Sequence, residues 1–204
     1  MVILFSGTPG SGKSLHAAEM IYNRLRFRGG RPVICNFELN LSLVKKNRYQ
    51  FHFIDNSRMD PLFLETYARR YWRYRGQRPK EGHILLLIDE AQMIFNARSW
   101  QMAGRTDWMR FFQIHRHLGF DIVLLAQFDR MLDRQIRYLI EYEYIHRKVV
   151  NYGLRGVIVS LLMLSPRLHA CVKVWYPLRQ KVGGNFFRVK KLYYQLYDSY
   201  GDFR

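Results

Sequence analysis

Apolar residues fall along this chain in two rhythms, short unbroken runs and stripes at helical spacing, and the two alternate from the first residues onward. Val2-Ile3-Leu4-Phe5 reads as a strand entering a glycine-rich stretch. Leu15, Ala18, Tyr22 and Leu25 then mark one face of a helix expected over 15–28 and stopped by Gly29-Gly30. Residues 31–37 and 51–54 read as short strands. Asp60-Pro61 is an N-cap with proline in the first turn, and the helix it opens carries Leu64, Tyr67, Ala68 and Tyr71 to a stop near Gly76. Ile84-Leu85-Leu86-Leu87-Ile88 shows no polar alternation, as expected of a parallel strand buried on both faces, and closes on Asp89-Glu90. A loop with Arg98, Trp100, Gly104 and Arg105 precedes a helix expected from Thr106. On it Trp108, Phe111, Phe112 and His115 share a side, which makes His115 a core or interface histidine rather than a ligand. Residues 121–127 form a second apolar strand ending in the amide of Gln127.

Beyond that strand, Arg130, Arg134 and Arg137 stand at i, i+4 and i+7, three guanidinium groups on one helical stripe. From about residue 141 the pattern changes. Tyr142, Tyr144, Val149 and Val150, then 157–164, then 170–176 are separated by turn residues and are expected as antiparallel strands extending the sheet. The stretch 183–204 is expected as a strand followed by a packed aromatic tail. These elements, with Gly7-Thr8-Pro9-Gly10-Ser11-Gly12-Lys13-Ser14 fitting G-x-x-x-x-G-K-[ST] between the first strand and helix, predict one α/β domain of P-loop NTPase type with a central parallel sheet flanked by helices. Its nucleotide-binding core would run over 1–140, with an antiparallel extension over 141–204.

Composition narrows this picture. With 204 residues and 49% hydrophobic content the chain can bury one full core. No apolar stretch approaches the roughly 18 residues of a membrane span, and no basic region precedes the first strand, so a cytoplasmic chain is expected. Cys35 and Cys171 are too few and too distant for a disulfide framework and read as core packing, while the remaining histidines show no metal spacing. A formal charge of +17 predicts attraction to polyanions. Residues 69–80 alternate cations with aromatics, which suits single-stranded nucleic acid and equally suits a solvated helix face whose rings turn inward.

The candidate chemistry lies in the stretch Gly7-Thr8-Pro9-Gly10-Ser11-Gly12-Lys13-Ser14, which fits G-x-x-x-x-G-K-[ST] at every fixed position. Its amides, with Leu15 adjoining, can wrap phosphates at a helix N-terminus, Lys13 meeting the β- and γ-phosphates. Ser14 and Asp89 are the expected Mg²⁺ ligands, Glu90 the group that polarises the attacking water, and Gln127 the sensor of the γ-phosphate. A nucleoside triphosphate and Mg²⁺ are therefore the expected substrate and metal. A carboxylate directly after the metal-binding aspartate, with a neighbouring strand ending in a polar sensor, is the additional-strand, catalytic-glutamate (RecA-like) pattern of ATPases that work in rings and borrow an arginine in trans. Arg116, Arg98 and the Arg130/Arg134/Arg137 stripe are candidates for that arginine.

The phosphate loop, Leu87-Ile88-Asp89-Glu90-Ala91-Gln92, Arg98-Ser99-Trp100, the segment His115 to Ile122, Gln127 and Asp133-Arg134-Gln135 with Arg137 together resemble the zonular occludens toxin family, the filamentous-phage assembly ATPases called gene I proteins. The resemblance covers about residues 1–150. It implies ATP hydrolysis at the cytoplasmic side of the bacterial host inner membrane, powering assembly of single-stranded phage DNA with coat protein and extrusion of the virion. It also implies a homo-oligomeric ring, most simply a hexamer, and makes Arg116 the leading trans finger. Members usually carry a membrane-spanning helix and a periplasmic region after the ATPase domain, so membrane association is expected through a segment outside these residues. A DNA translocase or helicase with no secretion role, and a nucleotide-gated scaffold with little turnover, remain open beside this reading.

Overall fold

The computed structural model describes residues 1–27, 31–97, 104–154, 158, 161, 168–188 and 190–197. Among the described residues eight strands form one sheet: β1 (Val2–Ser6), β2 (Val33–Cys35), β3 (Phe51–Phe53), β4 (Ile84–Ile88), β5 (Phe120–Ala126), β6 (Tyr142–Lys148), β7 (Leu168–Trp175) and β8 (Gln180–Arg188). Their order is β3-β2-β4-β5-β1-β6-β7-β8. The first six run parallel, β4 pairing with β5 from Ile84↔Phe120 and β5 with β1 from Val2↔Ile122.

The unbroken apolar runs follow from cover on both faces. Leu4, Leu86, Ile122 and Leu124 point to one side, where they meet helix α2 (Pro61–Arg75) and helix α3 (Arg105–Leu118) through Leu64, Ala68, Trp72, Phe111 and Phe112. Their strand neighbours Ile3, Phe5, Leu85, Leu87, Val123 and Leu125 point to the other, against helix α1 (Lys13–Phe27) through Ala17, Ala18, Ile21 and Leu25. A terminal helix, Lys191–Leu196, closes that second layer with Tyr193 and Leu196. Each such buried aliphatic or phenyl side chain contributes about 1.5–3 kcal/mol.

Helix α2 begins where expected, with Asp60 accepting from the Phe63 N–H, and ends on Gly76 in the left-handed region. The aromatics of α2 divide between the interior and the surface. Tyr67 stacks on Tyr71 and shares a hydrogen bond with His52, Tyr71 shares one with His83, and Trp72 donates Nε1–H to the Leu118 carbonyl at 2.8 Å. Those rings belong to the interior; Tyr74 faces out at 93% exposure beside exposed Arg69, Arg70 and Arg73. Gly119 ends α3 at φ 88°, where a Cβ would sit 2.9 Å from the Trp72 ring, so the corner between α2, α3 and β5 admits only glycine.

Four expectations require correction. The strand expected to open an antiparallel extension, β6, pairs parallel to β1 and only its other edge is antiparallel, to β7. The connection 127–141 carries the chain back to the starting edge of the sheet before β6 begins, and half-buried alternation looks the same in either direction. The three-arginine stripe is broken: Arg130 lies in the turn Asp129–Met131, Leu132 and Asp133 are extended, and the helix α4 (Arg134–Arg137) starts afresh with Asp133 as its cap. The strand expected over 157–164 lies outside the described residues except Ile158 and Leu161, which are helical and exposed. The expected run 31–37 is a strand only over Val33–Cys35.

Two predictions follow from the packing of α2. Trp72→Ala removes a nearly buried indole and leaves the Leu118 carbonyl unpaired, an expected loss of about 3–5 kcal/mol in urea unfolding. Burial, reinforced by Arg31, Arg75, Arg24 and Lys80, pushes His83 down to about 4 from its ordinary 6.5. Between those pH values the unfolded chain binds more protons, so this contribution is full above about pH 6.5 and is lost as pH falls toward 4. His83→Gln should flatten the pH dependence of the unfolding midpoint across that window; an unchanged slope would assign it to other groups.

Candidate functional site

Because the middles of β1, β4 and β5 are sealed on both faces, polar side chains collect at the strand ends, and those at the carboxyl edge stand where ligands of α/β sheets bind. Ser6 ends β1 and the glycine-rich loop follows. The loop presses so closely on β6 and β7 that a Cβ on Gly7 would lie 2.4 Å from the His146 carbonyl oxygen, and one on Gly12 2.7 Å from His169 Nδ1. Both glycines have positive φ, 144° and 100°. The Gly7 N–H donates to the Gln127 carbonyl at 3.1 Å, which ties the loop to the end of β5.

Lys13, buried at the start of α1, donates Nζ–H to the Gly7 carbonyl at 2.6 Å. Burial lowers its pKa, and the nearby carboxylates of Asp89 and Glu90 work against that shift. Ser14 Oγ donates to Asp89 Oδ2 at 3.3 Å. Burial and the Glu90 charge raise the Asp89 carboxyl, while the Glu90 N–H and Lys13 hold it down. A serine hydroxyl beside one carboxylate is the small, hard oxygen set that suits Mg²⁺, which takes one or two protein ligands and completes its shell with phosphate oxygens and water.

Glu90 occupies the left-handed region at φ 46°, ψ 48°, a strained conformation for a non-glycine residue. This turn lifts its carboxylate out of the strand direction, and Gln92 Nε2 donates to it. Gln92 Oε1 is buried without a partner. Gln127 borders a cavity of about 410 Å³ with Gly7, Thr8, Glu143 and His146. Strand order β4-β5-β1 therefore sets Gln127 between the Asp89-Glu90 pair and the loop, as the additional-strand pattern anticipates.

Asn36, immediately after β2, was not among the expected site residues. Its Oδ1 accepts from the Asp89 N–H at 2.7 Å, and its Nδ2 donates to the Asp89 carbonyl at 2.8 Å and to Asn56 Oδ1 at 2.7 Å. One signal pointed to it: like Asp89 and Gln127, it is the polar residue that closes an apolar run. Tyr197 gave none; from the tail it donates to Asp89 Oδ2 at 3.3 Å and packs edge-on against Phe37. The β7–β8 turn also reaches the site. Arg179, itself at φ 54°, donates to Glu143 at 2.7 Å and Asp129 at 2.5 Å, and Glu143 accepts from Ser6 at 2.6 Å.

The arginines expected to act in trans lie elsewhere. Arg116 sits at the opposite, amino edge of the sheet, paired with Glu141 at 2.6 Å and Glu81 at 3.3 Å. Arg98, with Ser99 and Trp100, lies outside the described residues. Arg134 covers the Tyr138 ring, and the Arg137 Nε is buried without a partner. His115 is the core histidine its spacing indicated, 6% exposed between Phe112 and the amino terminus.

A parallel sheet with a glycine-rich loop after β1, an aspartate-glutamate pair after β4 and a polar residue after the strand between them is the P-loop NTPase fold. The chain belongs to the zonular occludens toxin (Zot) family, whose model matches residues 1–202. It is 28% identical over 184 residues to the Gene 1 protein of Enterobacteria phage M13, covering 84% of this chain and 51% of that protein. It is 27% identical over 142 residues to the Gene 1 protein of Escherichia phage If1, covering 67% and 38%. The chain thus spans about half or less of these relatives' length. The N-terminal domain of zonular occludens toxin from Neisseria meningitidis superposes with a TM-score of 0.57 at 20% identity, over 97% of this chain and 98% of that one. The genome packaging NTPase B204 of Sulfolobus turreted icosahedral virus 2, in complex with ATP-gammaS, gives 0.57 at 15% identity over 93% and 97%. At these identities the likeness is one of fold.

Asn36→Ala leaves both backbone groups of Asp89 without their side-chain partner. Binding of a fluorescent nucleotide is expected to weaken about 10–100-fold in the presence of Mg²⁺ and much less in its absence. Equal weakening in both conditions would make Asn36 a loop support instead.

Proposed function

We propose that this chain is the ATP-hydrolysing motor portion of a filamentous-phage assembly machine, acting at the cytoplasmic face of the host inner membrane to drive virion assembly and extrusion. The observation that carries the reading is the meeting of Ser14 with Asp89 at 3.3 Å, with Glu90 turned out of line beside them, in a chain of the Zot family. The relatives' identity as phage Gene 1 proteins supports the assembly role.

On this reading the loop amides of Gly7 to Leu15 take the phosphates, and Lys13 exchanges the Gly7 carbonyl for the β- and γ-phosphate oxygens. Mg²⁺, held by Ser14 and Asp89, would supply charge compensation on the phosphates. Asn36 fixes the Asp89 backbone so that its carboxylate is presented at one angle. Glu90, oriented by Gln92, accepts the proton of the water that attacks the γ-phosphorus. Gln127, one strand away, orients that water or reads the γ-phosphate through its amide. Arg116 acts in trans within a homo-oligomeric ring, most simply a hexamer, and would exchange its pairs with Glu141 and Glu81 for the neighbour's phosphate. Coat protein and other assembly proteins are the expected partners, with single-stranded DNA a further one. The charge of +17 and the exposed Arg69, Arg70, Arg73 and Tyr74 on α2 support the latter contact.

Glu90→Gln should keep nucleotide affinity and lose hydrolysis by at least about 100-fold, measured as phosphate release; unchanged turnover would remove Glu90 from the mechanism. Arg116→Ala should also lose hydrolysis and regain part of it on mixing with a Lys13→Ala chain, since each supplies what the other lacks. Failure of such mixtures would leave Arg116 a fold-supporting ion pair. Strong stimulation by single-stranded DNA with no binding of a major coat protein would favour the translocase reading.

A further inference from the structure

Behind the phosphate loop, three donors that take no part in the steps above converge: His16 on α1, His146 on β6 and Cys171 on β7. Their ligand atoms all lie within 4.8 Å of one another. His16 Nδ1 is 2.8 Å from His146 Nε2, and Cys171 Sγ is 3.7 Å from the same nitrogen. His146 and Cys171 face each other as register partners on paired strands, so two of the donors stand on rigid backbone.

The state of His146 is set by its outer nitrogen. Nδ1 lies 3.3 Å from the Ser6 carbonyl, which can only accept, so Nδ1 carries the hydrogen and Nε2 turns its lone pair into the cluster. Metal-binding histidines are held in this way, the outer N–H on a carbonyl and the inner lone pair toward the ion. Burial keeps the His146 imidazole neutral, its pKa lowered to about 3, and pushes the Cys171 thiol up to about 12. A buried thiol ionises only beside a compensating cation.

We propose that His16, His146 and Cys171 form a binding site for one borderline-soft divalent cation of the zinc class, which joins α1 to β6 and β7 behind the phosphate loop. Two imidazoles and a thiolate favour such an ion over Mg²⁺. Tetrahedral bonds of about 2.0–2.1 Å to nitrogen and about 2.3 Å to sulfur separate two nitrogens by roughly 3.3 Å and nitrogen from sulfur by roughly 3.6 Å. The His146–Cys171 spacing of 3.7 Å fits as it stands, while His16, whose ligand atom lies within 4.8 Å of the sulfur, has to part from His146 by about half an ångström and settle at bonding distance of an ion shared with Cys171. Binding replaces the His16–His146 hydrogen bond: the hydrogen of His16 passes from Nδ1 to Nε2 through solvent, and Cys171 releases its proton. Two metal–nitrogen bonds and one metal–sulfur bond form, and one proton leaves for each ion bound. Half-buried His16 is the entry side, and the fourth coordination position falls to water. The inference is independent of the ATPase reading. Its structural consequence is a stiffer floor under Gly7, which packs directly on the His146 carbonyl.

The test is a Co²⁺ titration of the chelator-stripped, nucleotide-free chain. One equivalent should give a near-ultraviolet thiolate-to-cobalt band with tetrahedral visible bands, displaced by Zn²⁺, and Zn²⁺ should raise Tm. Cys171→Ser should lose the ultraviolet band, Cys35→Ser should retain it, and Asp89→Asn should leave it unchanged, which separates this site from the Mg²⁺ ligands. His16→Asn, at a half-buried position, should weaken binding more than about tenfold; it carries the test alone if Cys171→Ser fails to fold. Absence of a thiolate band in the wild type, its survival in Cys171→Ser, or an unweakened His16→Asn would overturn the proposal.

Discussion

Everything at the candidate site depends on one constraint: β1, β4 and β5 lie side by side and are covered on both faces. A strand in that position has no place for a polar side chain along its buried middle, and β5 admits Asp121 only at its amino end, beside the Met1 amino group. Ser6 closes β1 while still buried, Asp89 and Gln127 follow the buried runs of β4 and β5, and the three arrive at one edge together. Asn36 follows the same rule at the end of β2, and there the side chain holds the backbone of Asp89 instead of facing a ligand. Chemistry collects at this edge because the interior excludes it.

The second organising contact is between the loop and the strands behind it. Gly7 and Gly12 are required by the His146 carbonyl and the His169 ring, which leave no room for a Cβ. The extension formed by β6, β7 and β8 is therefore part of the loop's mould. Arg179 carries the same connection to the other side, joining the β7–β8 turn to Asp129, two residues beyond Gln127, and through Glu143 to Ser6. Motion of that hairpin would be felt at the end of β5 and at the loop together. The terminal helix makes a comparable link from the opposite layer, through Tyr197 to Asp89.

Charge is distributed differently from chemistry. The arginines of α2 project outward with Tyr74 while Tyr67, Tyr71 and Trp72 turn inward, so an alternating sequence serves two environments at once. Arg116 is held by Glu141 and Glu81 at the sheet edge away from the loop. Within one chain it is a structural cation, and the role proposed for it would require a neighbouring subunit.

The sequence by itself determined what depends on neighbours along the chain. The loop motif, the apolar runs closing on Asp89-Glu90 and Gln127, and the helix between Asp60 and Gly76 are local patterns of burial and capping, and they appear as written. Strand direction was not legible, because alternation in β6 is the same whether its partner runs with it or against it. The break in the arginine stripe turned on two extended residues, Leu132 and Asp133, whose spacing still satisfied a helix. The hold of Asn36 on the Asp89 backbone, the contact of Tyr197 and the meeting of His16, His146 and Cys171 were decided by tertiary structure. Each joins segments far apart in the chain, and no periodicity records which strands will lie beside one another.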